Sequence, residues 1–164
     1  MHKLPIISII VPCRNEAKFI EKCLYSIIAN DYPKEKMEIL VVDGESADDT
    51  KEKVLALTKL YPFIQLLDNP KKITPTALNI GIKHARGDII FRMDAHATYF
   101  KNYLSACVEH LSKFNAENVG GLLATEPRYK TIMARSIAYV LSNPFGVGNS
   151  PFRTIRTAPQ EVDT

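Results

Sequence analysis

The chain has 164 residues, enough for one domain with a sizeable core, and its 46% apolar and 24% charged residues are those of an ordinary globular protein. A net charge of +3, without a Lys/Arg block or aromatic–basic interleaving, argues against nucleic acid or an anionic membrane surface as partner. Cys13, Cys23 and Cys107 are odd in number and lack Cys-x-x-Cys spacing, so buried free thiols in a reducing compartment are expected. No apolar run has bilayer-spanning length and no leader pattern opens the chain, which leads to the expectation of a soluble, cytoplasmic protein.

Strand-like and helix-like segments alternate, which predicts a parallel sheet with helices on both faces. Ile6 to Val11 reads as a continuous apolar strand that Pro12 should stop. Phe19, Ile20, Cys23, Leu24, Ile27 and Ile28 then recur at helical spacing. Glu38 to Val42 is the second strand. Ser46, with Asp49 three residues on, forms a capping pair ahead of a helix carrying Val54, Leu57 and Leu60. Phe63 to Leu67 is a short third strand. Thr74 and Pro75 supply an N-cap and a first helical residue, Leu78, Ile82 and Ala85 the apolar face, and Gly87 the stop.

Ile89 to Met93 is the fourth strand, and Leu104, Cys107, Val108 and Leu111 mark another amphipathic helix. Val119 to Ala124 is expected to form a fifth strand. From Arg128 the pattern weakens: Ile132 to Leu141 can be helical, and the rest is rich in Pro, Gly, Ser and Asn. Residues 1–127 therefore read as the α/β domain and 128–164 as an irregular or disordered region.

The chemistry gathers at strand ends. Asp94 and His96 stand at alternate positions where the fourth strand runs out, and side chains there project into the crevice of an open α/β sheet. A carboxylate and an imidazole so placed can hold a divalent cation and, through it, a phosphate chain. After the first strand come Pro12, Cys13, Arg14, Asn15 and Glu16. A plain strand-to-helix turn, with Asn15 as cap, accounts for Pro12 and Asn15 but poorly for Arg14 and Glu16. After the second strand, Asp43 beside Gly44 can accept hydrogen bonds from a ribose or base, while Ser46 and Asp48 read as helix caps. No G-x-G-x-x-G and no P-loop occurs, which argues against a dehydrogenase or ATPase.

Taken in order, Pro12-Cys13-Arg14-Asn15-Glu16, Asp43-Gly44-Glu45-Ser46-Ala47-Asp48-Asp49-Thr50, Ala77-Leu78-Asn79-Ile80-Gly81 with Ala85-Arg86-Gly87, and Met93-Asp94-Ala95-His96 resemble the family 2 glycosyltransferases of the GT-A fold. The resemblance covers nearly the whole chain and looks closest to bacterial exopolysaccharide enzymes of the succinoglycan-biosynthesis type. It implies a Rossmann-like, mostly parallel sheet flanked by helices on both faces and incomplete at the carboxyl end. It also implies a nucleotide-diphosphate sugar donor, UDP-linked, and inverting transfer to a saccharide or lipid-linked acceptor in cell-surface or exopolysaccharide synthesis.

By the same resemblance Pro12, Arg14, Asn15, Glu16 and Asp43 would meet base and ribose, and Lys72 would border the nucleotide, whereas Asn79 and Gly81 serve packing. Asp94 matches the first aspartate of the family's Asp-x-Asp motif, and His96 stands where the second usually is. The imidazole is softer than a carboxylate and removes one negative charge, which favours Mn²⁺, with Mg²⁺ as the alternative.

The family's general base is an Asp or Glu in a later motif, and no segment of this sequence resembles it. Glu126, at the end of the expected fifth strand, could face the sugar, although a surface role suits it better. The chain is therefore expected to be a fragment of a longer enzyme: 1–127 binds the donor, 128–164 begins the acceptor side, and transfer by the chain alone is poor. Two other readings stay open. A nucleotidyltransferase normally needs a glycine- and lysine-rich first loop, where only Arg14 is offered; the other reading is a non-catalytic nucleotide-sugar-binding module. Oligomerisation through an exposed sheet edge, and peripheral attachment to the inner face of a membrane through segments outside this sequence, are left open as well.

Overall fold

The structure is a computed structural model that describes residues 4–127, 129–147 and 153. The chain resolves into two compact units, Met1–Ala106 and Cys107–Thr164. The first holds four parallel strands, β1 (Ile7–Cys13), β2 (Met37–Asp43), β3 (Ile64–Asp68) and β4 (Ile89–Arg92), in the order β3-β2-β1-β4. Helices α1 (Ile20–Ile28), α2 (Thr50–Leu60) and α3 (Thr74–His84) connect them in turn. Helix α4 (Tyr103–Phe114) runs from the first unit into the second, which also contains α5 (Ile132–Leu141) and α6 (Pro144–Val147). The expected helix over Ile132 to Leu141 thus forms as read.

The central strands are apolar throughout because both faces are covered. Ile10, Leu40 and Val42 pack with Ala77 of α3 on one face. The alternate residues Ile9, Val11, Ile39 and Val41 point to the other face and are fully buried as well. Connection handedness explains the two layers. The steps β1→β2 and β2→β3 move one way across the sheet and β3→β4 moves back, so right-handed crossovers put α3 on the face opposite α1 and α2. Helix α3 sits close against β1 because residue 81 is glycine. A Cβ there would lie 2.5 Å from Ile10 Cγ2.

Two expectations need correction. Pro12 does not end β1; it pairs in register with Val42, and the strand continues to Cys13. Backbone groups of β1 alternate sides: Ile10 O accepts from Met93 on the β4 side, and Cys13 O accepts from Gly44 on the β2 side. The position of Pro12 therefore faces the β4 side beyond the end of that strand, where its missing N–H breaks no ladder bond. Second, Val119 to Ala124 forms no strand. Gly120 and Gly121 bring no side chains to bury there, and Leu122 and Leu123 remain about half exposed.

The amino ends of the strands are locked by Ala85-Arg86-Gly87. Glu38, 5% exposed on β2, accepts the Ser8 hydroxyl at 2.6 Å, the Arg86 amide at 2.7 Å and the Arg86 guanidinium at 2.9 and 3.0 Å. Burial alone would raise its carboxyl, but those donors, Ser8 first, hold it below the usual glutamate range. Gly87 donates its N–H to Ser8 Oγ at 2.8 Å, and a Cβ on it would lie 2.5 Å from the Ser8 nitrogen. This motif serves architecture at the end of the sheet away from the strand carboxyl termini.

Candidate functional site

Strand order reverses between β1 and β4, and the carboxyl ends of two such strands frame the usual ligand crevice of an open α/β sheet. A cleft of about 290 Å³ lies there. Its walls come from Pro12, Arg14 and Glu16 after β1, Gly44 after β2, Asn69, Lys72 and Thr74 between β3 and α3, and Arg92, Asp94 and His96 at the end of β4. Of the residues singled out from the sequence, Pro12, Arg14, Glu16, Lys72, Asp94 and His96 share this cleft. Asn15 and Asp43 do not line it.

Those two residues instead tie the loops together. Asp43 is 1% exposed, and its carboxylate accepts the Ser46 amide at 3.0 Å and the Ser46 hydroxyl at 2.5 Å. Ser46 Oγ in turn accepts the Asn15 amide at 2.9 Å, and Asn15 Oδ1 accepts the Ala47 amide at 2.8 Å. Neither Asn15 nor Ser46 caps a helix, contrary to expectation: α1 begins only at Ile20 and α2 at Thr50, and the partner loop outcompetes the local amides. Asp48 does serve the start of α2, accepting the Thr50 amide at 3.1 Å, while its other oxygen takes the Ala17 amide. The Thr50 hydroxyl, donating to Asp48, lowers the Asp48 carboxyl most.

The end of β4 is held from below. The Asp94 amide donates to Tyr99 Oη at 2.7 Å, Tyr99 Oη donates to the Asp94 carbonyl at 3.3 Å, and Cys23 Sγ reaches the same carbonyl at 3.4 Å. Burial pushes the Tyr99 hydroxyl up and the Cys23 thiol up to about 12, so both keep the protons these contacts need. Above this clamp the Asp94 carboxylate is half exposed, with Arg92 Nη2 at 3.2 Å. His96 Nδ1 lies 3.1 Å from Glu16 Oε1.

On the opposite wall, Lys72 pairs with Glu45 at 2.6 Å. Asn15, Glu45 and Lys72 all have left-handed backbone (φ 56°, 51° and 61°) although none is glycine. Thr74 and Ala77 bring the amino end of α3 into the cleft wall, and no side chain caps that helix end. Its amide dipoles favour an anion.

Sequence reasoning did not single out Arg92 or Asn69. Arg92 read as one more strand residue; its place two before Asp94, on the same face of an extended chain, was the available signal. Asn69 is 1% exposed, with its amide nitrogen donating to Ile73 O at 3.0 Å and Oδ1 unpartnered. Glu126 is exposed, in the second unit.

A cation is tested by the donors present. Among the described residues no group of three or more His, Cys, Asp or Glu side chains could cage an ion. Asp94 and His96 offer two donors beside three cationic side chains, Arg14, Lys72 and Arg92. That set fits a cation completed by phosphate oxygens and water, and does not fit a closed structural site. No helix among the described residues is long and apolar enough to cross a membrane.

Comparison with known proteins agrees with this architecture. The chain is 37% identical over 152 residues to the dolichyl N-acetyl-alpha-D-glucosaminyl phosphate 3-beta-D-2,3-diacetamido-2,3-dideoxy-beta-D-glucuronosyltransferase of Methanococcus voltae, matching 88% of this chain and 46% of that protein. It is 30% identical over 148 residues to the succinoglycan biosynthesis protein ExoA of Rhizobium meliloti, covering 89% and 44% respectively. The chain thus spans less than half the length of these curated relatives. Among solved structures, the mannosyltransferase PcManGT from Pyrobaculum calidifontis, in complex with GDP-Man and Mn²⁺, superposes with a TM-score of 0.67 at 28% identity over 86% of this chain and 40% of that one. Staphylococcus aureus TarS in complex with UDP shares the fold, with a TM-score of 0.61 at 22% identity over 77% of this chain and 40% of that one. The profile of glycosyl transferase family 2 matches residues 8–158, and the chain belongs to that family, with a GT-A fold.

Proposed function

We propose that this chain is the donor-binding part of an inverting glycosyltransferase that takes a nucleotide-diphosphate sugar, UDP-linked, together with Mn²⁺ (or Mg²⁺), in cell-surface or exopolysaccharide synthesis. One observation carries the reading: a single cleft at the β1–β4 switch point joins the Asp94–His96 pair, three cationic side chains and the uncapped amino end of α3.

In this reading Pro12, Arg14 and Glu16 border the base and ribose on a loop that Asn15 and Asp43 hold in shape. Lys72, Arg92 and the α3 amides receive the diphosphate. Asp94 and His96 hold the cation, which when bound stabilises the charge developing on the departing nucleoside diphosphate. The acceptor hydroxyl also needs a general base. The two carboxylates lining the cleft are paired in the free protein, Asp94 with Arg92 and Glu16 with His96, and no segment of the sequence resembles the family's base motif, so we assign the base to residues outside this chain. The acceptor class, saccharide or lipid-linked, is taken from the relatives whose names include succinoglycan and dolichyl compounds.

Calorimetry of UDP and GDP with and without Mn²⁺ tests the proposal, with nucleotide release from the sugar donors measured alongside. Metal-dependent binding of UDP without efficient turnover is the expected result. A folded sample that binds neither nucleotide refutes the donor site, tighter binding of GDP refutes the base assignment, and efficient turnover refutes the placement of the general base.

A further inference from the structure

We infer that Glu16 is a positioning residue for His96, fixing the ring so that its Nε2 lone pair faces the cation while Nδ1–H is held from behind. The inference rests on the proposed role of His96 as a cation ligand.

The geometry is built rather than incidental. Strands β1 and β4 are neighbours, so the loop after one meets the loop after the other across 80 residues of sequence, and Glu16 Oε1 reaches His96 Nδ1 at 3.1 Å. The carboxylate is the sheltered partner, at 22% exposure against 63% for the imidazole, which leaves the far edge of the ring open. Glu16 is also anchored at its backbone. Its amide donates to Thr50 Oγ1 at 2.8 Å, Thr50 is fully buried, and the Glu16 carbonyl accepts the Phe19 and Ile20 amides.

An ionised carboxylate can only accept, so the shared proton belongs to Nδ1 and the lone pair to Nε2. Ligating imidazoles in metal sites are oriented by this kind of carboxylate contact, which also increases their basicity. The arrangement answers the charge question raised by the sequence. Where a histidine replaces an aspartate at position 96, Glu16 restores the lost negative charge one hydrogen bond behind the ring.

The test uses ¹⁵N-histidine NMR on the metal-free protein at a pH well above the ordinary imidazole range. Wild-type His96 is expected to carry its proton on Nδ1. Glu16→Gln, whose amide oxygen still accepts, should keep that tautomer, and Glu16→Ala should move the proton to Nε2. Mn²⁺ affinity in saturating UDP, read from the EPR signal of free Mn²⁺, should fall about tenfold to a hundredfold in Glu16→Ala and less than tenfold in Glu16→Gln. A wild-type ring protonated on Nε2, or a tautomer unchanged by Glu16→Ala, overturns the inference. Should Glu16→Ala not fold, the wild-type tautomer decides alone. If the tautomers respond as expected but His96→Ala binds Mn²⁺ like wild type, the cation reading fails and the inference falls with it.

Discussion

Arg92 Nη2 lies 3.2 Å from Asp94 Oδ1, pairing two side chains from the same strand end at the mouth of the cleft. Both are largely exposed, so the pair adds at most about 1 kcal/mol to the fold. Its consequence is electrostatic: in the free protein the carboxylate is balanced by a cation that a diphosphate can recruit. The same pattern recurs at Lys72 with Glu45, so under the proposed function ligand binding exchanges partners instead of creating charge contacts from nothing.

Asp94→Ala is expected to abolish the metal-dependent part of UDP binding, a loss of roughly tenfold or more, or at least ~1.4 kcal/mol. Arg92→Ala should weaken UDP binding with or without the cation. Both variants should melt within a few degrees of wild type, because neither side chain is buried. Calorimetry with and without Mn²⁺, paired with thermal melts, checks this. Unchanged metal-dependent affinity in Asp94→Ala would refute its assignment.

Glu38 is the polar keystone at the other end of the sheet, and its removal should cost about 2–3 kcal/mol, because the buried Ser8 hydroxyl loses its acceptor. Arg86→Ala should cost about 1 kcal/mol or less, since that side chain is 74% exposed. The pH sign follows from the lowered Glu38 carboxyl. Its stabilisation is fully present above the unfolded value of about 4.3 and is lost as pH falls through the lower folded value. Urea titrations across that acid window should show a shallower loss of stability in Glu38→Gln than in wild type.

Gly87→Ala should destabilise the protein by about 1–3 kcal/mol, because the added methyl meets backbone atoms of Ile7 and Ser8 at 2.7 and 2.5 Å. Gly120→Ala has nothing within 4 Å of the new Cβ and should be near neutral. Denaturant midpoints for the pair separate crowding from a general intolerance of alanine at glycine positions.

All three cysteines are buried thiols outside any disulfide, and burial raises the Cys13 and Cys23 thiols. A thiol-reactive dye should therefore label the native protein slowly or not at all, and should titrate three thiols in guanidinium. Rapid labelling of one cysteine in the native state would contradict the packing around it.

The strands and the grouping of motifs at their carboxyl ends were legible because each apolar run is strand-length and each ends in residues that a core would not choose. Ile9 to Val11 followed by Arg14 and Glu16 is one example; Ile89 to Phe91 followed by Asp94 and His96 is another. Capping was less legible. Asn15 and Ser46 have the chemistry of local caps, yet each spends it on the neighbouring loop, and only the β1–β2 pairing reveals that partner. Glu38 hid inside an apolar run, since its donors lie 30 and 48 residues away. Val119 to Ala124 has the apolar residues of a strand, but Gly120 and Gly121 weaken it, and local composition cannot say whether a pairing edge is available.

Asn15, Glu45 and Lys72 carry left-handed backbone on the three loops whose residues wall the cleft. Each such non-glycine corner costs on the order of 1 kcal/mol, a sum comparable to a sizeable fraction of a domain's net stability. Under the proposed function, resistance to heat and readiness for a ligand are opposed in this protein. Glycine at these corners would firm the fold while slackening the loops, and a thermostabilising selection that ignored binding would be drawn to the rim of the cleft first.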